Sequence, residues 1–86
     1  MLYTAELVHE LNALTRFDLN TGQQGIKVHK SASPEVIAAV QRLYAKGLVT
    51  QSDGGYLTSL GREAAEHAQT MFGLLTAGVA ATVALQ

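Results

Sequence analysis

The chain has 86 residues, 48% of them hydrophobic and 15% charged, with six Lys and Arg against seven Asp and Glu. That length holds one small domain, which buries only about 60–65% of the surface its unfolded chain exposes and needs an added source of stability. The absence of cysteine excludes disulfides, thiolate metal sites and cysteine nucleophiles, so oligomerisation is the expected source.

In chain order, Leu7, Val8, Leu11 and Leu14 fall on one face at helical spacing, with Thr4 as N-cap and Glu6 complementing the helix dipole. The opening Met1-Leu2-Tyr3-Thr4 lacks a basic region followed by an apolar run, so a cytoplasmic protein is expected. Asn20-Thr21-Gly22 and Gln24-Gly25 are turn-prone, and only a short helical turn fits between them. Ile26-Lys27-Val28-His29 alternates apolar and polar, which predicts a brief strand with Lys27 and His29 facing water.

A strong start signal follows: Ser33 as N-cap, Pro34 at the first helical position and Glu35 behind it. Val36, Ile37, Val40, Leu43 and Tyr44 form one apolar face, and Gly47 is placed as the left-handed stop after Lys46. Leu48–Gln51 and Tyr56–Thr58 then flank Ser52-Asp53-Gly54-Gly55, where an Asp53-Gly54 turn with positive φ at both positions predicts a hairpin. Thr58 or Ser59 caps a last helix expected to reach about Leu85.

That last helix carries two adjacent stripes, Leu60, Ala64, His67, Met71, Leu74, Gly78, Ala81, Leu85 and Ala65, Ala68, Phe72, Leu75, Val79, Thr82, with no charged side chain beyond His67. A segment apolar on nearly every side must be buried by something. From 59 to 85 it would be about 40 Å long, whereas the preceding residues make a body only about 27 Å across. The overhang predicts a homo-oligomer, a dimer first, closed through Met71, Phe72, Leu74, Leu75, Gly78, Val79, Ala81 and Leu85. A membrane tail fits less well, because Thr70, Gly73, Thr76, Gly78 and Thr82 dilute the segment and no basic flank or aromatic belt borders it.

Val40-Gln41-Arg42-Leu43-Tyr44-Ala45-Lys46-Gly47-Leu48-Val49 resembles the end of the recognition helix and the first wing strand of MarR- and PadR-type bacterial regulators. Gly55-Tyr56-Leu57-Thr58-Ser59-Leu60-Gly61-Arg62-Glu63-Ala64 resembles their second wing strand and the helix after it, so the likeness spans about residues 34–67. The whole chain is also similar to a family of short uncharacterised gammaproteobacterial proteins that share segments like Gly25–Lys30 and Asp53–Thr58, some of them labelled DNA-binding. The resemblance implies a mainly α, winged-helix-like domain with a small β-hairpin over 1–58 and a C-terminal oligomerisation helix over 59–86, together one structural unit. Residues 18–33 depart from the pattern, holding glycines and a strand-like run where the first helix of the helix-turn-helix belongs.

Two functions are consistent with these features: a regulator-like dimer that binds duplex DNA, or a protein-interaction module that keeps the fold without nucleic acid. Residues 27–46 carry a balance of +3 and the rest of the chain −4, so a local basic surface is available despite the overall charge. On the DNA reading Lys27, His29, Lys30 and Lys46 contact phosphates, Ser33 and the helix start add anion contacts, and Gln41 and Arg42 reach base edges. His9, His29 and His67 have no partners at metal-ligand spacing and no acid–base pair stands out. Neither a metal, a cofactor nor an enzymatic activity is expected.

Overall fold

Six elements follow one another in the computed structural model: α1 (Ala5–Leu14), β1 (Ile26–Lys27), α2 (Pro34–Ala45), β2 (Val49–Gln51), β3 (Gly54–Leu57) and α3 (Ser59–Ala77). Residues 1–20 and 25–77 are described. The molecule is mainly helical, with a three-stranded antiparallel sheet in the order β1-β3-β2. The brief strand expected at 26–29 is thus the third member of the hairpin's sheet, pairing Ile26 with Gly55 and Lys27 with Gly54. Between β1 and α2 the chain makes a single turn closed by the Ala32 amide on the His29 carbonyl, and no helix forms among the described residues of 18–33.

Local chemistry sets the helix limits. The Thr4 hydroxyl accepts from the Leu7 amide and the Ser33 hydroxyl from the Val36 amide, each satisfying a donor that the first turn leaves free. Helix α2 ends where Gly47 takes a φ of 78°; the Leu48 amide then returns to the Leu43 carbonyl and the Gly47 amide to that of Tyr44. Thr58 joins this stop to the next helix, its hydroxyl donating to the Gly47 carbonyl at 2.6 Å and accepting from the Gly61 amide at 3.0 Å.

The hairpin turn differs from expectation in one respect. Positive φ falls on Gly54 and Gly55, at 123° and 73°, and on no non-glycine residue among the described ones. Asp53 therefore keeps an ordinary backbone, and the strands absorb the difference in an irregular register between Val49 and Gln51.

The core lies where the three helices meet β2, and comprises Ala13, Leu14, Phe17, Val40, Leu43, Val49, Ala65 and Ala68. Leu43 and Val40 are its largest fully buried side chains. On α2 the buried stripe is Ala39, Val40 and Leu43, while Tyr44, expected on the apolar face, is half exposed. Helix α3 reaches the body through small residues, Gly61, Ala65 and Ala68. A Cβ added at Gly61 would lie 1.7 Å from the Leu48 carbonyl oxygen, so only glycine lets α3 approach the start of the hairpin this closely. Gln69 then secures the end of α1, its amide donating to the carbonyls of Leu14 and Phe17. No helix among the described residues is long and apolar enough to cross a membrane.

Candidate functional site

The charged residues of α2 are held against α1. Glu10 lies on the core side of α1 and is only 5% exposed. It accepts from Arg42 Nε at 2.7 Å through one carboxylate oxygen and from Lys46 Nζ through the other, while Arg42 Nη2 donates to the Glu6 carbonyl. Burial is the largest single influence on Glu10 and opposes its charge. The hydrogen bonds from Lys46 and Arg42, with the charges behind them, outweigh it and hold the carboxyl below its ordinary range. Arg42, expected to reach base edges, and Lys46, expected to contact phosphate, are thus partners of a buried carboxylate. Gln41 remains exposed on the outer side of α2.

The other expected contacts lie around β1. Lys27, His29 and Lys30 are exposed on the strand and just after it, and Ser33 spends its hydroxyl on capping α2. Lys27 and His29 stand with Arg16, just past α1, around one hollow. The basic side chains expected to contact nucleic acid therefore form two groups: Arg42 and Lys46, both paired to Glu10 at the α1–α2 contact, and Lys27, His29 and Lys30, open beside β1. The sequence reading missed Glu10 and Arg16. Glu10 sits three residues after Leu7 and four before Leu14, a position on the apolar stripe where an acid needs a cationic partner.

A third feature is the distal part of α3. Every residue from Thr70 to Ala77 is exposed, including Met71 at 55%, Phe72 at 58%, Leu74 at 66% and Leu75 at 70%. Nothing lies within 4 Å of a Cβ built at Gly73, so these two turns project from the body with all their faces open. Of the expected interface, Gly78, Val79, Ala81 and Leu85 lie outside the described residues. Among the described residues no three His, Asp or Glu side chains group as metal ligands.

A family model, that of a family of unknown function (DUF5669), matches residues 1–76, and the chain belongs to that family. No curated protein and no solved structure matches it.

Proposed function

We propose that this chain is a self-pairing interaction module, winged-helix-like in the order of its elements, whose working contact is the distal part of α3. The observation that carries this reading is the exposure of Met71, Phe72, Leu74 and Leu75 on the distal turns of α3, with open space around Gly73 between them. Each such side chain gains about 1.5–3 kcal/mol when fully buried. From Ala68 to Ala77 there is no charged residue, so the surface selects an equally uncharged apolar partner. A second copy supplies one through a two-fold contact. We place the module in the cytoplasm, where a chain without disulfides is stabilised by assembly.

The test is a spin label at Gly73→Cys, a position with open space around it. A defined label-to-label distance that disappears on dilution with unlabelled protein supports pairing through α3; no dipolar coupling at any concentration rejects it.

Duplex-DNA binding by the dimer is the second reading, favoured by the exposure of Lys27, His29 and Lys30 on one segment. It involves the phosphate backbone more than base edges, because Gln41 is the exposed α2 side chain equipped for base readout while Arg42 is held by Glu10. Retention of mixed duplex DNA at low salt, lost steeply as salt rises, supports it. No retention at low salt leaves the interaction module alone.

A further inference from the structure

We infer that the hollow between the end of α1, β1 and the start of α2 is a binding site for a phosphoryl group carried by a small molecule. The hollow has a volume of about 310 Å³ and is lined by Arg16, Lys27, His29 and Ser31, with Val28 and Val36 among its apolar residues. Its size is at the lower end of the range for small-ligand pockets, roughly 300–1,000 Å³, enough for a phosphorylated sugar or a mononucleotide rather than a larger cofactor.

Its chemistry is that of an anion site. Arg16, Lys27 and His29 come from two segments, Lys27 on β1 and His29 just after it on either side of Val28, and Arg16 past the end of α1. A guanidinium, an ammonium and an imidazole offer donors of different reach, and the Ser31 hydroxyl adds a neutral one. The ion pairs among the described residues involve Arg42, Lys46 and Arg62, so no carboxylate there neutralises Arg16 or Lys27. The acids beside the lining in the chain are Asp18, two residues after Arg16, and Glu35, next to Val36, and neither pairs with Arg16 or Lys27; Asp53 shares a second hollow with Lys27. Val36 belongs to the first turn of α2, so that helix's amide end borders the hollow, with Glu35 exposed on the same turn.

A phosphoryl group uses this set better than a monoanionic carboxylate does, since it brings two charges and three acceptor oxygens to donors on separate segments. The apolar wall from Val28 and Val36 favours a ligand with a carbon skeleton behind the phosphate. The same chemistry is carried by the backbone of duplex DNA, and the experiment separates the two sources. This site does not depend on pairing through α3.

Amide chemical shifts of the full chain are followed through three titrations at constant ionic strength: inorganic phosphate, adenosine monophosphate and a short mixed-sequence duplex. Saturable shifts centred on Arg16, Lys27, His29, Ser31 and Val36 with the mononucleotide, weaker ones at the same residues with inorganic phosphate, are expected. The paired substitution R16Q/K27Q removes two charge-assisted contacts and weakens mononucleotide binding about tenfold or more. The same variant keeps the thermal midpoint and the assembly state of the parent. Shifts at these residues with the duplex alone assign the phosphate to nucleic acid and overturn the small-molecule ligand. No saturable shift with any of the three, or equal binding by R16Q/K27Q, overturns the site itself.

Discussion

The two halves of α3 use opposite kinds of side chain. The half that touches the body does so through Gly61, Ala65 and Ala68, all buried, whereas the large residues Met71, Phe72, Leu74 and Leu75 are exposed on the distal half. Leu60, at the helix start, is exposed as well. A helix that served only its own core would place its largest apolar groups inward, because burial of apolar area is what stabilises it. Here small residues bring the helix backbone close to the body, and the residues with the most area to bury face away from it. The proximal half belongs to the fold, and the distal half is the surface proposed for pairing.

Two glycines on this one helix give the sharpest contrast. Gly61→Ala drives a Cβ into the Leu48 carbonyl and should destabilise the chain by about 3–5 kcal/mol or prevent folding, read as the urea midpoint. Gly73→Ala meets open space. In an exposed helix interior it should stabilise by about 0.5–1 kcal/mol. Similar losses at both positions would mean that Gly73 is closely packed, and a loss that persists at concentrations where the chain is monomeric would assign that packing to the body.

Between those extremes lies the clamp of Glu10 with Arg42 and Lys46, which joins α1 to α2 and leaves the distal half of α3 aside. Glu10→Gln keeps the shape and removes the charge, at an expected cost of about 1–2 kcal/mol, with no change in assembly at concentrations where the fold persists. The acid response follows from the same residue. Its carboxyl is held below the ordinary range in the folded chain, so the clamp contributes fully above that range and its contribution is lost as pH falls through the depressed value. Glu10→Gln should flatten that part of the stability–pH curve, measured by urea unfolding at a series of acidic pH values. An unchanged slope would assign the acid sensitivity to other carboxylates.

Much of the architecture was legible from local signals. Thr4, Ser33-Pro34 and Gly47 bound their helices where capping chemistry places them, because a cap depends on a few adjacent residues. The turn was found, but the positive φ moved from Asp53-Gly54 to Gly54-Gly55, since strand register, set by pairing with β1 and β2, decides which residues turn. The site was less legible. Helical spacing puts Arg42 and Lys46 on one face of α2 but does not say what that face meets. Only packing against α1, with Glu10 buried between its apolar neighbours, shows those cations to be engaged. Arg16 was silent for the same reason: it is distant in sequence from Lys27 and His29, and the fold brings them around one hollow.

Sedimentation equilibrium of the full chain and of the L74E/L75E variant tests the central claim most directly. The two substitutions fall on side chains that contribute nothing to the core, so the folded body should survive in both proteins, as circular dichroism would show. The account predicts a parent species of twice the 9.1 kDa chain mass and a folded monomer for the variant. A parent protein that sediments as a single 9.1 kDa species at all concentrations, or a variant that assembles as the parent does, would contradict it.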